Sequence, residues 1–203
     1  MAAPESRNPR RAPDPDKRQR DADRSRERLL AAATDEFAAV GYAGARVSAI
    51  ASRAGLNPQL ISYYFGGKAG LYRALQERWL AFEETLTADS ADLAELVTRY
   101  ARVALEDPRG PRLLLWDGLT ESGEDPLPGP DDAAEMSRRQ DEGEIAGDLD
   151  PRLVQLALMG ASLAPVALPQ VVRRLTGENA DDPEFVERYL TVIRRLTELL
   201  RAE

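Results

Sequence analysis

The chain of 203 residues is 43% hydrophobic and 31% charged, carries a net charge of −8, and contains neither cysteine nor histidine. That composition suits one globular domain, or two small ones sharing a core, and it excludes disulfides, thiolate metal sites, cysteine nucleophiles and any histidine-dependent triad. The carboxylates, Arg, Lys and Tyr that remain fall in no recognisable catalytic pattern, so neither an enzyme activity nor a cofactor or metal is expected.

Charge is unevenly distributed. Residues 1–78 hold 14 basic against 9 acidic side chains, net +5, and residues 79–203 hold 13 against 26, net −13. Such a split suits a chain that offers one end to a polyanion and keeps the other away; a chance fluctuation of surface charge is the alternative. The sequence has no run of about 18 apolar residues to span a bilayer, and its amino terminus is polar and proline-rich where a secretory signal would be apolar. Together these predict a cytoplasmic protein without a membrane partner.

Residues 1–23 carry four prolines, many charges and almost no large apolar side chain, and are expected to form a disordered arm. Its Arg7, Arg10, Arg11, Lys17, Arg18 and Arg20 either lie along DNA phosphates or solvate the tail. From Arg24 onward Leu29, Leu30, Ala33, Phe37 and Val40 form the stripe of an amphipathic helix, which Gly41 is expected to stop. A second helix is predicted over 47–54, with Ile50, Ala51 and Ala54 inward and Ser48, Ser52 and Arg53 outward. Gly55 supplies a turn, Asn57 a cap and Pro58 the start of a third helix over 58–64, which Gly66 and Gly67 end. A fourth runs from Lys68 to Ala88, with Leu71, Leu75, Trp79 and Phe82 on one face.

Further helices are predicted over 91–106, 109–121, 131–142, 151–164, 166–176 and 183–202, and SGEDPLPGP (122–130) is the clearest break. No strand alternation or repeat competes, so the fold class is all-α.

Two helices joined by a short glycine-containing turn form a helix-turn-helix, whose second helix can enter the major groove of DNA. Leu56, Ile61 and Phe65 are placed to anchor that helix from beneath, leaving Gln59, Ser62 and Tyr63 outward. Gln pairs bidentately with adenine, Ser is an adaptable partner, and Pro58 or an exposed Leu60 can meet a thymine methyl. Tyr63, Tyr64 and Lys68 suit phosphate, as do Arg46 and Ser48 at the start of the second helix. A purely structural helical corner is the alternative.

The span 26–79, RERLLAAATDEFAAVGYAGARVSAIASRAGLNPQLISYYFGGKAGLYRALQERW, resembles the amino-terminal DNA-binding domain of the TetR family of bacterial transcriptional regulators. The matches run in order through Phe37, Gly41-Tyr42, Val47, Ile50-Ala51, Ala54-Gly55-Leu56 and Tyr64-Phe65-Gly66-Gly67-Lys68. The resemblance implies an all-helical homodimer that binds a palindromic operator in double-stranded DNA, usually represses, and lets go when a small-molecule effector enters the carboxy-terminal domain. It divides the chain into the arm (1–23), a three-helix DNA-binding domain (24–70) and a helical-bundle ligand-binding and dimerisation domain (71–203). It assigns Arg46 and Ser48 to contacts at the start of the second helix, Pro58, Gln59, Leu60, Ser62, Tyr63 and Tyr64 to the recognition surface, and Lys68 to phosphate. Val47 and Ser48 stand where many relatives have Thr and a longer polar or basic side chain, and Gly67 replaces a more usual polar cap. An activator, a regulator that senses no ligand, and a helical enzyme or adaptor with an accessory DNA-binding domain are the rival readings.

In the carboxy-terminal half Leu149, Leu153, Leu156, Gly160 and Leu163, and then Val186, Tyr189, Ile193, Leu196 and Leu200, step by three and four. Each row is a narrow seam of the kind that packs on a partner helix, and two such helices from each of two subunits make a four-helix dimer interface; the alternative is that both face their own core. Pro165 and Pro169 are expected to kink or end the eighth helix. Phe82, Tyr100, Leu114, Trp116, Met136 and Met159 are the bulky candidates for an effector cavity, with Asp117 or Arg102 to orient a polar end, plain core being the alternative.

Overall fold

In the computed structural model, which describes residues 15–88, 90–120 and 132–201, the chain is all-helical. The described elements are α1 (Pro15–Gly44), α2 (Val47–Ala54), α3 (Gln59–Phe65), α4 (Lys68–Ala88), α5 (Leu93–Glu106), α6 (Arg109–Thr120), α7 (Asp132–Asp141), α8 (Pro151–Ala167), α9 (Pro169–Thr176) and α10 (Pro183–Glu198). Residues 1–14 of the expected arm and the segment 122–130 lie outside the described residues.

The first helix begins at Pro15 rather than Arg24, so the last part of the expected arm is helical. In this portion none of residues 19–24 is buried. Its bonds are local: Gln19 Nε2 donates to Asp23 at 3.1 Å, Ser25 Oγ to the Asp21 carbonyl at 2.8 Å, and Arg24 pairs with Asp21 at 3.4 Å. Partners three and four residues apart stabilise an exposed, highly charged helix without burial. At Gly41 the backbone leaves helical geometry, with φ 69° and ψ 174°, so the glycine ends the long helical run as expected and a separate short turn continues to Gly44. That backbone region is open only to glycine at low cost.

Two hydrophobic cores follow. In the first, Leu29, Ala33 and Phe37 of α1 meet Ile50 and Ala51 of α2, Ile61 of α3, and Leu71, Tyr72 and Leu75 of α4. The rings of Phe37, Tyr42 and Tyr72 lie 5.0 to 5.9 Å apart within it. Burying each large apolar side chain contributes about 1.5–3 kcal/mol, which is how a seven-residue α3, too short to be stable alone, is held. Because Leu71, Tyr72 and Leu75 belong to this core, α4 runs from the first core into the second half of the molecule. The second core joins Leu93 and Val97 of α5, Met136 of α7, Ile145, Val154 of α8 and Ile193 of α10, continuing through Ala101, Leu105, Val186 and Leu190.

Arg139 of α7 is 1% exposed and sits between Glu135 (2.8 Å) and Glu144 (3.1 Å); Glu144 also accepts the Leu93 N–H at the start of α5. A buried guanidinium with two carboxylates ties α7, the following loop and α5 together.

Pro165 lies inside α8, which continues to Ala167 before an 82° bend into α9. A proline in a helix leaves the carbonyl four residues earlier without its donor. Here that carbonyl, on Ala161, accepts the Tyr189 hydroxyl of α10 at 2.6 Å, so the helix survives and the break moves to Leu168-Pro169. Among the described residues no single helix is long and apolar enough to cross a membrane; α8 and α9 reach that only as a bent pair.

Candidate nucleic-acid interface

The second and third helices are set by their ends. Arg46 is extended (φ −116°) and precedes α2 without a side-chain cap, while Gly55 closes the helix, its N–H bonding the Ser52 carbonyl at 3.0 Å. Asn57 Oδ1 accepts the Gln59 N–H at 2.9 Å, which starts α3 directly after Pro58. Ile61 is fully buried under α3, with Leu56, Leu60, Tyr64 and Phe65 partly buried on the first core.

Gln59, Ser62 and Tyr63 are exposed, as are Pro58, Arg46 and Ser48, with Tyr63 at 78% exposure. The arrangement differs from expectation at two residues: Leu60 and Tyr64 lean on the core, so each presents only part of its side chain. The Tyr64 ring also meets Tyr63 edge-on at 5.0 Å, which braces the exposed phenol. Lys68 opens α4, its Nζ 4.5 Å above the Tyr42 ring. The ammonium is thus held over an aromatic face at the amino terminus of α4.

Three residues that the sequence reading passed over hold this surface. A Cβ at Gly70 would fall 1.7 Å from the Phe65 carbonyl oxygen, so only glycine lets α4 start hard against the end of α3. An isolated glycine inside a helical pattern is the signal for such close approach. Arg28 Nη2 donates to the Ala54 carbonyl at 2.5 Å, and Arg26 lies 5.0 Å over the Phe65 ring, so α1 clamps the ends of α2 and α3.

Behind the helix-turn-helix, α6 is anchored in three places. Arg109 pairs with Asp35 of α1 at 2.9 Å, and Asp35 also approaches Arg53 of α2 at 3.9 Å. Trp116 packs against Gly41, where a Cβ would lie 3.1 Å from the indole, and donates to the Ala38 carbonyl at 3.3 Å. Asp117 accepts the Tyr72 hydroxyl of α4 at 2.6 Å. The Arg109 guanidinium hydrogen-bonded to Asp107 holds that carboxyl below its ordinary range, and the same contact raises Arg109.

The effector candidates do not converge. Met136 is buried in the second core, Trp116 faces α1, the Phe82 ring lies tilted against Trp79 (5.7 Å), and Leu114 and Met159 are exposed. Tyr100 is half-buried. Arg102 is committed to Glu187 at 2.6 Å and Asp117 to Tyr72, so neither orients a polar group as it stands. A shallow hollow between α1, α6 and α8 is lined by Ala38, Arg112, Leu115, Trp116, Leu119 and Val166, and includes one of the candidates. Among the described residues no cluster of three carboxylates is placed to hold a metal ion.

The seam on α10 needs correction. Val186 and Ile193 are 7% and 2% exposed and belong to the chain's own core, and Tyr189 is turned to Ala161. Helix α10 carries two apolar stripes, Val186, Leu190 and Ile193 inward and Val192, Leu196 and Leu199 outward, and the expected row straddled both. Leu200 is partly buried on the second core. On α8, Leu153, Leu156 and Gly160 face out and Leu163 is half-buried.

A short, core-anchored helix after a glycine turn, presenting Gln, Ser and Tyr with cations beside it, defines a DNA-binding protein of the helix-turn-helix class. The profile described as "Bacterial regulatory proteins, tetR family" matches residues 29–75, from the core portion of α1 into α4. The HTH-type transcriptional repressor SCO4008 of Streptomyces coelicolor is 33% identical over 168 residues, 78% of this chain and 86% of that protein. The HTH-type transcriptional regulator RutR of Escherichia coli is 35% identical over 97 residues, 46% of this chain and 45% of its own length. Among solved structures, the Streptomyces coelicolor protein SCO4942 superimposes with a TM-score of 0.69 at 23% identity, covering 85% of this chain and 97% of that one. A gamma-butyrolactone receptor (ArpA-like protein) does so with a TM-score of 0.61 at 22% identity, covering 88% and 99%. At those identities the two structures share the fold. The chain belongs to the TetR family and is a DNA-binding transcriptional regulator, not an enzyme.

Proposed function

We propose that the protein is a repressor that acts in the bacterial cytoplasm as a homodimer on a palindromic operator and is released by a small-molecule effector. The observation that carries this reading is the outer apolar face shared by α8 and α10. Leu153 and Leu156 on the first are 64% and 65% exposed, and Leu196 on the second and Leu199 capping its end are 52% and 64%. The Tyr189–Ala161 bond holds the two helices side by side. Large apolar side chains left exposed on two paired helices mark an interaction surface, and a two-fold across it gives two copies of α3, as a palindrome requires. In each half-site Gln59, Ser62 and Tyr63 read bases, with Pro58 and the open part of Leu60 against thymine methyls, while Arg46, Ser48, Tyr64 and Lys68 position the phosphates. The name of the 33% identical relative, a repressor, supports the direction of regulation.

An effector that prefers one spacing of the two α3 helices changes operator affinity by that preference and no more. Selection of duplexes from a random pool, with sedimentation equilibrium of the free protein, tests the reading. Enriched sequences with two-fold symmetry and a dimeric mass are expected; a monomer, or enrichment of a single half-site, refutes it.

A further inference from the structure

The amino-terminal turns of α1 carry a basic row for which the reading above has no use. Arg20, Arg24 and Arg28 recur at steps of four on one helix face, all exposed, while Asp23 and Glu27 occupy the neighbouring face. The two rows turn toward different neighbours. Glu27 pairs with Arg78 of α4 at 2.8 Å, whereas Arg28 reaches the Ala54 carbonyl at the end of α2. Arg26 reaches Phe65 at the end of α3, so this part of α1 stands beside the helix-turn-helix itself. From there the basic row runs outward along the helix.

Arg20 and Arg28 are separated by about 12 Å at 1.5 Å per residue, a length comparable to the rise of about three or four base pairs along the duplex axis at 3.4 Å each. Arg24 is 71% exposed, and its ion pair with Asp21 spans 3.4 Å between two exposed side chains three residues apart. Such a pair contributes little and exchanges readily for a phosphate.

We propose that the extended start of α1 is a second DNA-binding element, whose Arg20 and Arg24 contact phosphates flanking each operator half-site, outside the bases read by α3. This rests on α3 being the groove element. The contacts carry no base preference; they lengthen the footprint and steepen the salt dependence.

The test compares wild type with Arg20→Gln/Arg24→Gln on two duplexes: a selected operator with about ten base pairs beyond each half-site, roughly one turn of DNA, and the same operator trimmed to its half-sites. Fluorescence anisotropy across a potassium chloride series gives Kd at each salt. Removing two phosphate contacts lowers the slope of log Kd against log salt by about 1.8 per protomer on the long duplex. On the trimmed duplex the two proteins bind alike, and Arg20→Lys/Arg24→Lys keeps the wild-type slope on the long one. An unchanged slope for the Gln variant, or an equal loss on both duplexes, overturns the proposal. Wild-type protein that enriches no sequence overturns the role of α3 instead.

Discussion

Replacing Tyr189 with Phe removes one hydroxyl and leaves the Ala161 carbonyl without its donor, because the residue four positions on, Pro165, has no N–H to offer. Burial pushes the Tyr189 phenol upward, so it stays protonated and donating through the neutral range. An orphaned buried acceptor costs about 1–3 kcal/mol. Both partners here are only partly buried, which places the cost at about 1–2 kcal/mol, or about 2–8 °C in Tm for a chain of this length. Thermal unfolding of Tyr189→Phe, Pro165→Ala and the double variant at one fixed protein concentration isolates the effect. Pro165→Ala restores a backbone N–H to Ala161, so Tyr189→Phe should be nearly neutral in that background. Equal losses in both backgrounds, or no loss in the native one, refute the exchange of donors. Sedimentation should show Tyr189→Phe still assembling as the wild type does, since the ring faces inward.

Gly41→Ala should cost about 2–3 kcal/mol, from backbone strain and the 3.1 Å approach to the Trp116 indole, and Trp116→Ala should relieve part of it in a thermal double-mutant cycle. Gln59→Ala should relax preference at one base position by about 1–3 kcal/mol, while Lys68→Ala should weaken all duplexes alike; parallel binding assays on single-base operator variants separate the two. Leu196→Asp should give monomers in sedimentation equilibrium with the helical content unchanged by circular dichroism, and a persistent dimer would move the interface elsewhere. Glu135 is held below its ordinary value by hydrogen bonds from Arg138 and Arg139. A carboxylate so lowered adds stability above its unfolded pKa, and loses it as pH falls through the folded value. Arg138→Ala should therefore flatten acid unfolding as pH falls through the carboxylate range, whereas Arg139→Ala, which breaks a buried pair, should cost about 3–5 kcal/mol at neutral pH.

The helix-turn-helix was legible because its signals are local. The Gly55, Asn57 and Pro58 punctuation sets α2 and α3 within a residue or so, and Ile61 fixes which face of α3 points out. The effector candidates were not legible, since Trp116 or Met136 at helical spacing looks the same whether it faces a cavity, a neighbouring helix or the core. The α10 seam failed for a related reason. Steps of three and four recur on both of its apolar stripes, and only the packing of Val186 and Ile193 against α5 and α8 shows which one turns inward. Pro165 misled by an opposite route: the rule that proline ends a helix assumes a lost hydrogen bond, and a tyrosine hydroxyl from another helix supplied it. The early start of α1 reflects charge pairing, which a search for apolar stripes does not register.

The anchoring of α6 bears on how such proteins can be recombined. Arg109, Trp116 and Asp117 grip Asp35, Gly41 and Tyr72, so the reading head and the element behind it form a matched set distributed over two distant parts of the chain. A hybrid that grafts this head onto a foreign carboxy-terminal domain through a splice in α4 would keep the sockets and discard the plugs. Carrying those three side chains into the foreign sixth helix is the minimum alteration that restores the grip.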